Sequence, residues 1–343
     1  MTPRSALEIG PGGRAARPIG LRAALTGAAL AAGCALIEPA AAASAYIALG
    51  DSITFGETDL LYLPSLGDRG YVAGYADALA ARRGGVRPEV INLAIDGETA
   101  SSFVTGVGRT PPVVGRTDVP LALQNLHYSA ANLVPQGSLF ASTVAAQVAR
   151  GNSIDTVTIT LGFNELGALA ALPPATALTQ IPQTLAAYRT NYSAVLTQVR
   201  SLLPNTNLSL LGYYNPFPAN PNNPAAPIFN AGGVELNNII RSLAGQYGAS
   251  FVDTAGPFVG HEAEYTYLDE MPAGSTVQGT FGGVLPIGNV HPNARGYEVI
   301  AAQVSAVAAI PEPSSWAMLL AGLAAIGWLA RGRQARRRTT LLR

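Results

Sequence analysis

The chain has 343 residues with 21 basic and 21 acidic side chains, so its formal net charge is zero. Such a chain has no basic field for phosphates, which excludes nucleic acid as an expected partner. Only 12% of its residues are charged and glycine and proline are frequent, which favours one compact domain with long loops. The single cysteine, Cys34, lies near the N-terminus, so no disulfide or thiolate metal site is expected beyond it.

The first 45 residues carry the features of a secretory signal peptide in the usual order. Four arginines precede an Ala/Leu-rich run at 23–36, and small residues follow at 43–45. This order predicts export and cleavage before Tyr46. Two alternatives stay open: the segment is a buried first helix, or Cys34 is lipidated at a weakly lipoprotein-like site.

A proline-glutamate-proline triplet at 311–313 opens the C-terminal segment, which continues with an apolar run from Trp316 to Ala330 and an arginine cluster. The run is short for a bilayer, but its Trp and Arg flanks predict a transmembrane segment with a cytoplasmic arginine-rich tail. In this order the features resemble the PEP-CTERM sorting signal of Gram-negative bacteria. The resemblance implies transient membrane contact, removal of 311–343 by an exosortase-type enzyme, and delivery to the cell surface or extracellular matrix. An ordinary membrane anchor is the alternative.

Short apolar strands alternate with helices through residues 46–310. The predicted strands are 46–50, 90–95, 154–161, 207–213 and 250–253. The predicted helices are 71–83, 142–150, 181–203, 234–247 and 294–307. Because such alternation implies parallel strands joined by right-handed crossovers, we expect one three-layer α/β/α domain with a five-stranded parallel sheet.

Polar residues follow the first three predicted strands. They are Asp51-Ser52, Asp96-Gly97 and Asn164-Glu165, in chain order. Sites in parallel sheets lie at the carboxyl ends of the strands, so these residues are expected at one edge. Three long loops, at 101–139, 214–227 and 256–289, are expected to rise over that edge and form a substrate cleft.

One serine and one histidine are the candidate nucleophile and base. Ser52 follows the first strand in a Gly-Asp-Ser turn, which exposes the hydroxyl and directs backbone N–H groups into the same space. His291 precedes the last helix, with Asn293 as the predicted N-cap, and can face the strand ends as a general base. The other two histidines, His127 and His261, are interpreted as structural.

Two further residues are candidate donors to an oxyanion. Asn164 can offer a side-chain amide N–H and Gly97 a backbone N–H. The alternatives are a helix cap for Asn164 and a plain turn for Gly97.

Taken in order, Gly-Asp-Ser, Asn-x-x-x-x-Gly, Gly-x-Asn-Glu and His-Pro resemble the four sequence blocks of the GDSL (SGNH) hydrolases, which include esterases and lipases. The resemblance spans the whole predicted domain. It implies a flavodoxin-like fold, ester substrates, and no metal or other cofactor. It also implies that Ser52 is the nucleophile, that His291 is the base, and that the oxyanion hole comprises the Ser52 and Gly97 N–H groups and the Asn164 amide. Glu165 stands where the family usually has Asp.

The fourth block departs from the family at the triad acid. Gly288 stands three residues before His291, where the family carries a carboxylate that orients the imidazole. Three hypotheses stay open. A backbone carbonyl, such as that of Gly288, orients His291; or Asp253, Asp269 or Glu262 reaches it; or the domain is catalytically weak or inactive.

The sequence therefore predicts an exported serine ester hydrolase acting on acyl esters of lipids or of acetylated exopolysaccharide. The alternative from another class is a non-catalytic surface or matrix-binding protein built on a hydrolase fold.

Overall fold

The computed structural model describes residues 43–56, 69–107, 127–128, 134–219, 221–223, 225–267, 289–307 and 323. The chain divides into two compact units, 1–41 and 42–343, and every described residue belongs to the second. Nearly all of the predicted signal peptide and of the segment 311–343 lies outside the described residues. The boundaries predicted at 45 and 310 remain predictions.

A five-stranded parallel sheet forms the centre of the domain. Its strands are β1 Ser44–Gly50, β2 Glu89–Asn92, β3 Ser153–Thr160, β4 Asn207–Leu211 and β5 Ser250–Val252. Their order is β2-β1-β3-β4-β5, and every neighbouring pair is parallel. This order confirms the predicted α/β class and is that of flavodoxin-like folds, whose ligands bind where strand order reverses, here at β1 and β3.

Ten helices and a second, small sheet are present in the described part of the chain. The helices are α1 Ser52–Phe55, α2 Gly70–Arg82, α3 Ala100–Thr105, α4 Gln136–Ala149, α5 Phe163–Gly167, α6 Pro174–Leu202, α7 Ala226–Gln246, α8 Ala255–Phe258, α9 Glu262–Tyr265 and α10 Ala294–Val307. Strand β6 Thr266–Tyr267 pairs antiparallel with β7 Asn289–Pro292. Short 3-10 helices occupy Ala168–Ala171 and Phe217–Ala219. Helix α2 packs against α10, whereas α6 packs against α3, α4 and α7.

Strand β1, which lies between β2 and β3, is apolar from residue 45 to residue 50 because helices cover both faces of a parallel sheet. Residues 45–49 are fully buried. The polar side chains in the interior are instead concentrated in β3, where Thr156, Thr158 and Thr160 alternate with buried apolar residues. Thr160 and Thr158 make polar contacts with the turn that follows β1 and with the hydroxyl groups behind it.

Several helices begin earlier than the sequence predicts. Helix α4 begins at Gln136 rather than at 142, α6 at Pro174 rather than at 181, and α7 at Ala226 rather than at 234. The predictions are wrong there because proline and glycine were interpreted as loop residues. Proline is tolerated in the first turn of a helix, where its missing N–H would have no intrahelical partner. The predicted loop at 256–289 likewise contains α8, α9 and β6.

The prediction of a transmembrane helix at Trp316–Ala330 is corrected. Within the part of the chain that the structure describes, no helix is both long and apolar enough to cross a membrane. A 15-residue run in helical form spans only about 22 Å, against a hydrocarbon core of about 30 Å. Apart from residue 323, this run lies outside the described residues.

The junction between β1 and α1 requires glycine at position 50. Gly50 has φ +128°, and a Cβ added there would lie 2.1 Å from the Thr160 carbonyl oxygen. Gly151 also has a positive φ, +77°, but has nothing within 4 Å of an added Cβ. Both glycines therefore have a positive φ, but only at Gly50 would an added side chain collide with a neighbouring strand.

Gly50→Ala is expected to lower the free energy of unfolding by about 3 kcal/mol or more, because backbone strain and overpacking each contribute about 1–3 kcal/mol. Gly151→Ala is the matched control and should lose only about 1–2 kcal/mol. Urea unfolding followed by circular dichroism measures both. Equal losses in the two variants would contradict the close approach of Gly50 to β3.

Candidate active site

The nucleophile turn lies at the carboxyl end of β1. Ser52 is the first residue of α1 and is buried, with 7% of its surface exposed. Asp51 caps this short helix, since its Oδ1 accepts a hydrogen bond from the Ile53 N–H at 3.1 Å. Gly56 ends the helix after one turn in a left-handed conformation. The serine is therefore held in a tight strand-to-helix turn, as the sequence predicts, but the residue is buried rather than exposed.

The Asp51 carboxylate fixes this turn to the neighbouring strands. Its Oδ1 accepts from the Thr160 hydroxyl at 2.8 Å, and its Oδ2 accepts from the Tyr213 hydroxyl at 2.5 Å. Burial raises the pKa of Asp51 from 3.8 to about 6, although these hydrogen bonds act to lower it. Asp51 thus connects the turn to β3 and to the chain beyond β4.

A chain of hydroxyl groups continues behind the turn. The Thr54 hydroxyl lies 2.7 Å from that of Thr160 and 2.8 Å from that of Tyr71. The Tyr71 hydroxyl in turn lies 3.0 Å from that of Thr158. All four side chains are buried, so their mutual hydrogen bonds satisfy groups that would otherwise be costly to bury. These hydroxyl groups attach α1 to α2 and to β3.

Gly97 lies in a turn after β2 that runs beside the serine. Its φ is +70°, and the turn is closed by a hydrogen bond from the Glu98 N–H to the Ile95 carbonyl at 3.1 Å. The Ile95 N–H donates to the Gly50 carbonyl at 3.0 Å. The Gly97 turn is thereby attached to the residue that ends β1.

Gln136, the first residue of α4, joins these two turns directly. Its Oε1 accepts from the Gly50 N–H at 2.7 Å, and its Nε2 donates to the Gly50 carbonyl at 2.9 Å. The same Nε2 donates to Glu98 Oε2 at 3.0 Å. Gln136 is fully buried, so water does not compete for these bonds.

Asn164 and Glu165 approach the same segment from the end of β3. They lie on α5, which begins after Gly162. Asn164 Nδ2 donates to the Glu98 carbonyl at 2.9 Å, and Glu165 Oε1 accepts from the Ala100 N–H at 2.7 Å. A primary amide has two N–H groups. One of those of Asn164 donates to Glu98 and orients the side chain.

His291 lies on β7, which contacts α1. The histidine is buried, and burial lowers its pKa from 6.5 to about 4. The Tyr214 hydroxyl holds β7 by donating to the Val290 carbonyl at 2.7 Å. Asn293 Oδ1 accepts from the Gly296 N–H at 3.0 Å, which confirms the predicted cap of the last helix. At neutral pH the imidazole is therefore uncharged, as a general base must be.

Two of the acids considered as partners of His291 bind backbone N–H groups. Asp253 Oδ1 accepts from the N–H groups of residues 255 and 256 at 2.9 and 3.1 Å. Glu262 Oε1 accepts from the Gly260 N–H at 3.1 Å. Asp269 and Gly288 lie outside the described residues.

Sequence patterns did not single out four residues of the site: Glu98, Gln136, Thr160 and Tyr213. Gln136 lies in a region predicted as loop, and nothing in its sequence surroundings marks it. The threonines of β3 did carry a signal, because three hydroxyl side chains at alternate positions of a buried strand require polar partners. His261 agrees with its structural interpretation, since its Nδ1 lies 2.9 Å from Glu264 Oε2.

The site thus consists of polar turns gathered at the strand-order reversal of a parallel α/β sheet. The sequence matches the GDSL-like Lipase/Acylhydrolase family over residues 48–299. The chain belongs to this family, which places it among esterase- and lipase-type hydrolases. Residues 309–337 match the PEP-CTERM protein-sorting motif, which points to export and surface sorting in Gram-negative bacteria. No curated protein matches the chain.

Several solved structures are similar to the chain. The lipase Lip_vut3 from a goat rumen metagenome has 21% identity and a TM-score of 0.48, covering 76% of this chain and 96% of its own. Phospholipase A1 from Streptomyces albidoflavus NA297 has 17% identity and a TM-score of 0.45, covering 76% and 100%. A mutant acetyl-xylooligosaccharide esterase from Geobacillus stearothermophilus has 16% identity and a TM-score of 0.46, covering 78% and 95%. At these levels the likenesses carry no inference about substrate.

Asp51→Asn is expected to change how stability depends on pH. Because the folded pKa of about 6 lies above the ordinary 3.8, the contribution of Asp51 to stability is complete below about 3.8 and is lost as pH rises through about 6. The variant should therefore be less stable than the parent by the largest amount at acidic pH. This difference in unfolding free energy should shrink by up to about 3 kcal/mol as the pH rises to mildly alkaline values.

Urea unfolding of the parent and variant across this range measures the difference. Asp77→Asn is the control, because that carboxylate is exposed and pairs with Arg87 at 2.8 Å; its effect should stay within about 1 kcal/mol. A pH-independent penalty in Asp51→Asn would contradict the burial of a titrating carboxyl beneath Ser52.

Proposed function

We propose that the protein is an exported ester hydrolase that uses Ser52 as nucleophile and His291 as base. The convergence of three turns at one sheet edge carries the proposal. The turns after β1, β2 and β3 are joined by direct hydrogen bonds through Gln136 and Asn164. The strand that holds His291 contacts the helix that begins with Ser52.

In the proposed reaction the neutral imidazole of His291 removes the Ser52 hydroxyl proton as Ser52 Oγ attacks the ester carbonyl carbon. The carbonyl oxygen becomes an oxyanion. The N–H groups of Ser52 and Gly97 and the second N–H of the Asn164 amide donate to it. His291 then protonates the leaving alcohol, and an acyl ester of Ser52 remains. Water attacks that ester with His291 again as base, which releases the acid and restores Ser52.

The burial of His291 keeps its imidazole uncharged, which a general base requires. An imidazole with a pKa of about 4 is almost entirely neutral at neutral pH. The acid of a triad fixes the tautomer and stabilises the imidazolium that forms during attack. With Gly288 at the family's acid position, we propose that either a backbone carbonyl or one of Asp253, Asp269 and Glu262 orients the imidazole.

The proposed substrates are acyl esters of lipids or of acetylated exopolysaccharide at the cell surface or in the extracellular matrix. The sorting motif at 309–337 supports this location. We propose that a signal peptidase removes residues 1–45, that an exosortase-type enzyme processes the tail at 311–343, and that 46–310 is the hydrolase domain. Short synthetic esters should be hydrolysed as well, because the reaction needs only the ester carbonyl.

A second candidate function is that of a non-catalytic surface or matrix-binding protein on the same fold. The glycine at position 288 favours it, since loss of a triad acid is what decay of activity would leave behind. The two candidates differ in whether Ser52 turns over esters.

Ser52→Ala is expected to abolish hydrolysis of p-nitrophenyl acetate and longer acyl esters, because the acyl-enzyme cannot form. Asn164→Ala should lower kcat about 10²–10³-fold, the usual effect of removing one oxyanion donor. Ser201→Ala is the control: it removes an exposed serine hydroxyl, bonded to the Thr197 carbonyl at 2.8 Å near the end of α6, and should retain full activity.

Full activity in Ser52→Ala would exclude the serine mechanism. Equal background rates in the folded parent and Ser52→Ala, also with acetylated polysaccharide and lipid esters, would favour the binding protein.

A further inference from the structure

Glu165 is a buried acidic group that the proposed reaction does not use. Its Oε1 accepts a hydrogen bond from the Ala100 N–H at 2.7 Å. Its Oε2 is buried and has no hydrogen-bond partner, although the residue as a whole is partly exposed. Leaving a carboxyl oxygen without a partner is unfavourable. The hydrogen bond from Ala100 to Oε1 is therefore present although it leaves Oε2 buried without a partner.

Glu165 and its neighbour Asn164 hold one segment at two points. Asn164 binds the carbonyl of Glu98, and Glu165 binds the N–H of Ala100, two residues further along. Gly97 immediately precedes this segment. The two hydrogen bonds come from consecutive residues of α5, so the Gly97 turn and the Asn164 side chain are held as one unit.

The start of α3 explains why Glu165 is needed for this attachment. The first N–H groups of a helix have no partner within it. Thr99 and Ser102 satisfy each other's N–H groups in a capping box, which does not include the Ala100 N–H. Glu165 supplies the acceptor for that group. A carboxyl there also faces the positive end of the helix dipole.

We propose that Glu165 is a positioning residue of the oxyanion hole, which holds the Gly97 N–H at a fixed distance from the Asn164 amide by binding Ala100. The inference rests on the proposed function, because only an oxyanion formed between Gly97 and Asn164 makes that distance matter. Glu165 does not touch the substrate in this account. Its effect should appear in kcat rather than in KM, because oxyanion contacts strengthen in the transition state.

The surroundings of Glu165 favour its neutral form. Glu165 interacts electrostatically with the carboxyl groups of Asp51 and Glu98. It also interacts with the hydroxyl groups of three tyrosines, Tyr188, Tyr192 and Tyr213. Burial, with smaller contributions from Asp51 and Glu98, raises the pKa of Glu165 from 4.5 to about 7. Below that pH a neutral side chain faces the oxyanion hole. Above it, a carboxylate would oppose an oxyanion.

The test is the pH dependence of kcat and KM for p-nitrophenyl acetate with the full-length protein. Glu165→Ala should lower kcat about 10- to 100-fold with KM unchanged, since small displacements of catalytic groups have effects of this size. Glu165→Gln keeps a carbonyl acceptor and should keep the parent kcat below about pH 7. It should also lack the fall in kcat that we expect of the parent as pH rises through about 7.

Thr206→Val is the control for a purely structural effect. It removes a hydrogen bond to the Ile154 carbonyl at 2.9 Å, at the amino end of β3, and should lower Tm without changing kcat. Parent kcat in Glu165→Ala, an equal loss in Glu165→Gln, or an equal loss in Thr206→Val would overturn the inference. If Ser52→Ala is inactive, any of these three results contradicts only the role of Glu165. An active Ser52→Ala would instead contradict the proposed function.

Discussion

The geometry of the site depends on the hydrogen bonds between the Gln136 side chain and Gly50. One amide binds both the N–H and the carbonyl of the residue that ends β1, and the same amide reaches Glu98 in the next turn. Because Gln136 is fully buried, these bonds are not exchanged with water. Gly50 has no side chain, which lets it approach β3 closely enough for this arrangement. The relative position of the serine turn and the Gly97 turn follows from this contact.

Burial gives the acidic and basic groups of the site their protonation states. It raises the pKa of Asp51 to about 6 and that of Glu165 to about 7, and it lowers that of His291 to about 4. In each case the uncharged form is the one favoured by a dry environment. A neutral imidazole can accept the serine proton, and a protonated Glu165 avoids repulsion of the negative charge that develops on the substrate. Burial therefore keeps His291 neutral and able to accept a proton, but it does not stabilise the imidazolium as a triad carboxylate does.

The strand order shows which parts of the site could be predicted. Ser52, Gly97 and Asn164 follow β1, β2 and β3, and the order β2-β1-β3 makes those strands neighbours. Alternating elements and the carboxyl-edge rule suffice to bring these residues together. Gln136 could not be predicted, because its contact with Gly50 crosses 86 positions of sequence through a region predicted as loop. The early starts of α6 and α7 were missed because proline in a first helical turn has the same local signature as proline in a loop.

Covalent labelling tests the central claim, that Ser52 is an activated nucleophile, most directly. A p-nitrophenyl alkylphosphonate transfers its alkylphosphonyl group to the oxygen of an activated serine and releases p-nitrophenol, so intact-mass and peptide mass spectrometry locate the adduct. We expect one adduct per chain, on the peptide that contains Ser52, and its loss in His291→Ala. An unlabelled folded protein, or an adduct on another residue, would contradict it.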